Sequence, residues 1–95
     1  MRRSEVLQTL TAHRNELATF GIKSLAIFGS VARDEARHDS DIDILVDFQG
    51  PATFNAYMDL KFFLEEQLGR PVDLVLADSL KPRLKPVIAR EVAYA

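Results

Sequence analysis

Ile27-Phe28-Gly29-Ser30-Val31-Ala32-Arg33 and, after a polar stretch, Ser40-Asp41-Ile42-Asp43-Ile44-Leu45-Val46-Asp47-Phe48 carry the pattern that decides the fold. The first run, Ser24 to Phe28, is short and apolar and stops at Gly29, as a buried strand does. The second alternates. In a strand, alternate residues share a face, so Ile42, Ile44, Val46 and Phe48 form an apolar face, and Asp41, Asp43, Leu45 and Asp47 form the other. Two carboxylates at i and i+2 repel one another, so the pair is either solvated or holds cations. Oxygen ligands on so short a pitch suit Mg²⁺, which takes one or two carboxylates and completes its shell with water and phosphate oxygens.

Outward from this stretch, Ser4 to about Ala18 reads as a helix, with Ser4 as N-cap, Gly21 as stop, and Val6, Leu10, His13 and Leu17 on one face. His13 reads as a partly buried, hydrogen-bonded residue at the edge of that stripe. Val31 to Ala36 forms a short helix or turn. Thr53 to Leu68 is a second long helix, stopped by Gly69 with Pro71 beyond. Pro71 to Ala77 is a third strand, in which Val72, Leu74 and Leu76 share one face and Asp73, Val75 and Ala77 the other. A last short helix is expected from about Val87 to Ala93, with Pro86 at its first turn. The 95 residues form a single domain, 1–95, of the α+β class: a small mixed β-sheet with helices packed on one face.

With the apolar strand faces turned to the helices, Asp73 joins Asp41 and Asp43 on the open face. A carboxylate trio of this kind suits phosphoryl chemistry in which metal clamps the phosphates and an acceptor hydroxyl is activated for in-line attack. Asp73 is then the candidate general base or a further metal ligand. Gly29 at a strand end allows backbone N–H groups close to a phosphate, Ser30 adds a hydroxyl donor, and Arg33 a charged one. Asp34, Glu35 and Asp47 read as solvated surface charges. Asp73 as an ordinary exposed aspartate, and Arg33 as a surface residue, are the competing readings.

Gly29-Ser30, ten intervening residues, then Asp41-x-Asp43 resembles the signature of the DNA polymerase beta-like nucleotidyltransferase superfamily, and the surrounding text looks like its minimal prokaryotic nucleotidyltransferases. The resemblance runs through nearly the whole chain and implies that superfamily's fold. It implies that Gly29 and Ser30 hold a triphosphate, that Asp41 and Asp43 bind divalent metal, and that Asp73 is the third carboxylate. It also implies a HEPN-type toxin as partner, with AMP moved from ATP to a tyrosine hydroxyl of that partner and pyrophosphate released. The alternative is a non-catalytic antitoxin or interaction module that neutralises its partner by binding. Transfer to a small molecule is a weaker rival, because it wants a second binding domain.

Other classes are excluded by composition and spacing. Net charge is −2, which does not favour a surface tracking nucleic acid. The chain has no cysteine, hence no disulfide or thiolate metal site. Asp39, Asp41 and Asp43 mimic the start of an EF-hand loop, but Ile44 stands where glycine is needed and Gly50 where glutamate is needed. No apolar run approaches the ~20 residues of a membrane helix, and no signal peptide is visible, so a cytoplasmic location is expected. In the second long helix, Phe54, Tyr57, Met58, Leu64 and Leu68 make a core stripe. Leu60, Phe62 and Phe63 spread apolar surface around it, which suggests a partner protein or a second copy, or else coverage by the C-terminal segment.

Overall fold

The structure is a computed structural model and describes residues 2–35, 37, 40–86 and 93–94. Helices α1 (Arg3–Ala12) and α2 (Arg14–Ala18) lead into β1 (Ile22–Phe28), the short helix α3 (Gly29–Ala32) and β2 (Ile42–Phe48). Helix α4 (Phe54–Leu68) then connects to β3 (Val72–Leu76), which is followed by a 3₁₀ turn, Ala77–Ser79, and β4 (Ala93–Tyr94). The sheet order is β3-β2-β1-β4. β1 pairs antiparallel with β2 and β4, and β2 pairs parallel with β3, so the sheet is mixed.

Alternation in β2 holds as read: Ile42, Ile44 and Val46 are buried and face the helices, while Asp43, Leu45 and Asp47 are only half-buried. β1 obeys the same rule with one interruption. Ile22 pairs with Phe48 and Ser24 with Asp47, so β1 carries one extra residue there. A bulge reverses the parity of everything before it, which is how Ile22 packs against the same core as Leu25 and Ile27. That core gathers Val6 and Leu10 of α1, Leu17 of α2, Val31 and Ala32 of α3, and Leu60, Leu64 and Leu68 of α4. One face of the sheet is therefore covered by helices and the other carries the carboxylates.

Several local expectations are corrected. The first helix is two, broken at His13, and its N-cap is Arg2 rather than Ser4. Glu5 and Asp34 take the place of a hydroxyl cap: the Glu5 carboxylate accepts from the Arg2 N–H (3.0 Å) and Asp34 Oδ1 from the Arg3 N–H (2.8 Å). Two of the donors that a helix start leaves unpaired are thereby satisfied. Helix α4 begins as read, with the Thr53 hydroxyl accepting from the Ala56 N–H (3.0 Å), and ends at Gly69 in the left-handed region (φ 66°). Its buried stripe, however, is Leu60, Leu64 and Leu68, with Tyr57 and Phe63 packed beside it. Phe54 lies roughly 80° around the helix from Leu64 and is 77% exposed, so it is not core. Phe63, read as lying away from the stripe, contacts Phe20 and meets His13 edge-on at 5.8 Å. His13 also shares a 3.1 Å contact between Nδ1 and Glu16, in keeping with its structural reading. At the C-terminal end, Ala93 and Tyr94 are strand, not helix; the rest of the helix expected there lies outside the described residues. No helix among the described residues is long and apolar enough to cross a membrane.

Candidate active site

Strand pairing brings the acidic residues together. Asp43 sits directly opposite Asp73 across the parallel β2–β3 pair, and opposite Phe28 across β1–β2. Gly29 follows Phe28 at once, so the turn into α3 starts beside Asp43. Asp41 precedes β2 on the same parity and is exposed, as is Asp73; Asp43 is half-buried between them. At the ~5 Å spacing of neighbouring strands, two full negative charges repel by roughly 3 kcal/mol at an effective dielectric of 20.

Burial first, and this crowding second, show in Asp43, whose pKa is raised above the ordinary 3.8. Burial is the largest cause, followed by the charges of Asp73 and Asp41 and a hydrogen bond to Asp73; Arg33 acts in the opposite direction. The consequence for stability has a definite sign. The folded state holds the Asp43 proton more tightly than the unfolded state. Its stabilising effect is thus present below 3.8 and is lost as pH rises through the folded value. An ionised Asp43 is therefore unfavourable in the metal-free fold. Asp43→Asn is expected to raise metal-free stability at pH 7, by a small amount because solvent screens a half-buried charge. The gain over wild type should shrink as pH falls. Urea titrations at pH 7 and pH 4 check this, and a loss of stability at pH 7 would contradict it.

Gly29 makes the site possible. Its φ is 71°, in the left-handed region, and a Cβ built there would overlap a carboxylate oxygen of Asp43 and lie 3.1 Å from the carboxyl carbon. Only glycine lets the chain turn this close to the carboxylate. Gly29→Ala is expected to cost about 1–3 kcal/mol of stability in backbone strain and to displace Asp43. Denaturant unfolding measures the cost; a variant as stable as wild type would contradict the close approach.

Ser30, the second residue of α3, is half-buried; its carbonyl accepts from the Glu35 N–H (2.8 Å). Arg33 caps α3, is 42% exposed and donates from Nε to Glu35 (3.2 Å) while acting on Asp43 through space. Two residues read as solvated charges therefore have partners: Glu35 with Arg33, and Asp34 with the start of α1. Asp34 also adopts a left-handed φ of 57°. Arg70 escaped the sequence reading altogether. It donates from a terminal guanidinium nitrogen to the Ser40 carbonyl (2.6 Å), and the Ile42 N–H donates to the Pro71 carbonyl (2.9 Å), so the α4–β3 turn fixes the chain on both sides of Asp41. Nothing local in the sequence marks this long-range bond.

Among the described residues no three His, Cys, Asp or Glu side chains form a closed metal cage. The donor set suits a cation of a different kind. Mg²⁺ keeps several waters, binds one or two carboxylates and takes its remaining ligands from substrate phosphates. A half-buried Asp43 repelled by two neighbours is the place where such a cation relieves the most strain. The site itself is an open sheet face. A cavity of about 300 Å³, lined by Leu10, Arg14, Leu17, Ile22, Lys23 and Leu25 among others, includes none of the carboxylates.

Residues 10–94 match the family model described as "Nucleotidyltransferase domain". The chain is 44% identical over 91 residues to the protein adenylyltransferase MntA of Thermococcus cleftensis, covering 95% of this chain and 92% of that protein. It is similar to the solved structure of a protein proposed to be a minimal nucleotidyltransferase, with TM-score 0.85, 39% identity, and coverage of 98% of this chain and 95% of the other. It also shares its fold with a chain from a Shewanella oneidensis complex described as a tri-AMPylated HEPN toxin with an MNT antitoxin. There the TM-score is 0.60, the identity 21%, and the coverage 88% of this chain and 69% of the other.

Proposed function

Because the chain belongs to the nucleotidyltransferase domain family, we propose that it transfers AMP from ATP, with Mg²⁺, to a tyrosine hydroxyl of a HEPN-type toxin and so acts as that toxin's antitoxin. The observation that carries the chemistry is the register that sets Asp43 beside Asp73 on an open face, next to the Gly29 turn. Adenylyl as the transferred group, and protein as acceptor, are supported by the Thermococcus relative's activity; the HEPN partner is supported by the Shewanella complex of like fold.

In this reading, backbone N–H groups at Gly29 and Ser30, with the Ser30 hydroxyl, donate to oxygens of the β- and γ-phosphates, and Arg33 adds a positive charge nearby. Asp41 and Asp43 would hold Mg²⁺, which when bound neutralises charge on the phosphates. Asp73 takes the proton of the acceptor hydroxyl. The acceptor oxygen bonds to the α-phosphorus, the bond from that phosphorus to the bridging oxygen breaks, and pyrophosphate leaves. The carboxylates stand on the sheet face that the helices leave uncovered. A protein partner therefore supplies both the acceptor and the closure that excludes water.

Mass spectrometry of a co-expressed HEPN-type partner tests this reading. The expected result is one or more added AMP groups on tyrosine with wild type, and none with Asp41→Asn/Asp43→Asn. If that double variant neutralises the toxin as well as wild type does, neutralisation is by binding and the transfer reading fails.

A further inference from the structure

β3 is an edge strand, and it carries Asp73. In the parallel pair, Ile42 lies opposite Val72 and its N–H donates to the Pro71 carbonyl. Parallel pairing then directs the backbone groups of Pro71, Asp73 and Val75 toward β2, and those of Val72 and Leu74 outward. Outward groups on an edge are normally left to water or to another chain. Here two of them are taken by side chains of α4. Glu65 Oε2 accepts from the Val72 N–H (2.9 Å), and the Tyr57 hydroxyl donates to the Leu74 carbonyl (2.5 Å). Both contacts are part-buried. They bracket Asp73, one on each side in sequence, while Asp73 itself is held from the inner side by β2.

We propose that Tyr57 and Glu65 are positioning residues for the transfer reaction, fixing Asp73 beside Asp43 from the outer edge of the sheet; this rests on the reading of Asp73 as the proton acceptor. The need for such a clamp follows from the charges it opposes. Asp73 and Asp43 repel whenever both are ionised, and the strand free to yield is the outermost one. An Asp73 that swings outward by about 1 Å leaves the line of the acceptor hydroxyl, a displacement that costs about a hundredfold in rate. Triphosphate binding depends on the Gly29–Ser30 turn and on Asp41 and Asp43, none of which these bonds touch. Loss of the clamp therefore lowers kcat and spares the KM for ATP.

The test uses the full chain with Tyr57→Phe, Glu65→Met, their combination, and Glu65→Gln, whose amide oxygen still accepts from Val72. Transfer kinetics and Tm are measured for each, with exchange of the Val72 amide hydrogen as a readout that needs no activity. The combined variant is expected to lose about 10–100-fold in kcat with an ATP KM within about twofold of wild type. Glu65→Gln should recover most of the loss caused by Glu65→Met and keep Val72 exchange slow. Two results overturn the proposal: kcat indifferent to both residues, or a kcat loss shared in proportion by KM and Tm with glutamine no better than methionine. Tyr57→Phe, nearly isosteric, keeps the test open if the combined variant unfolds. Wild type that transfers nothing overturns the reaction reading and the positioning role together, whereas active wild type with indifferent clamp variants overturns the positioning role alone.

Discussion

Replacing Asp41 and Asp43 together by asparagine is expected to lower AMP transfer by about 10³-fold or more, equivalent to about 4 kcal/mol of transition-state stabilisation. The pair stands at the mouth of β2, one exposed and one half-buried, with Asp73 across the ladder from Asp43. Asparagine keeps their shape and removes the charge proposed to hold Mg²⁺. The fold should survive, since the carboxylate of Asp43 bonds only to its like-charged neighbour Asp73 and the repulsion there is relieved. Unfolding curves of the metal-free variant alongside single-turnover transfer separate the two effects. A variant that transfers AMP within tenfold of wild type would remove these residues from the chemistry.

The second large effect is expected at Asp73. Asp73→Asn cannot take the acceptor proton, and a positioned general base contributes about 10²–10⁴-fold. The loss should appear in kcat, with little change in ATP binding, because the proposed triphosphate contacts lie on the β1–α3 side of Asp43. This separates Asp73 from Asp41 and Asp43, whose loss is expected to weaken Mg²⁺-ATP binding as well. Transfer rate and Mg²⁺-ATP affinity, measured on the same preparation, check the distinction. A large loss of affinity in Asp73→Asn would instead make this residue a metal ligand.

The sheet and the acidic face were legible because strands repeat every two residues and the pattern is local. Ile42 to Phe48 and Val72 to Leu76 each declare an inner and an outer side, and placing Asp73 with Asp43 required only that the two strands be neighbours. Glycine at position 29 was legible as a close-approach residue, though not that Asp43 is what it approaches. Parity failed at Ile22, where one extra residue in β1 reverses the face, and the bulge leaves no mark in composition. The break at His13 was also hidden, since Val6, Leu10 and Leu17 keep helical spacing across it. Phe54 was misplaced because a hydrophobic residue in the first turn of α4 looks like core until the packing of Leu60, Leu64 and Leu68 sets where the buried stripe lies. The bonds from Arg70 to Ser40, Glu65 to Val72 and Tyr57 to Leu74 join side chain to backbone across turns and elements, and no sequence period encodes such pairs.

The most direct test of adenylyl transfer compares two labels. Purified wild type is incubated with the proposed HEPN-type partner, Mg²⁺ and ATP carrying phosphorus label at either the α or the γ position. Label from the α position should enter the partner, label from the γ position should leave as pyrophosphate, and the Asp41→Asn/Asp43→Asn protein should incorporate neither. Incorporation from the γ position, or none from the α position with a partner that still carries an unmodified tyrosine, would contradict the assignment.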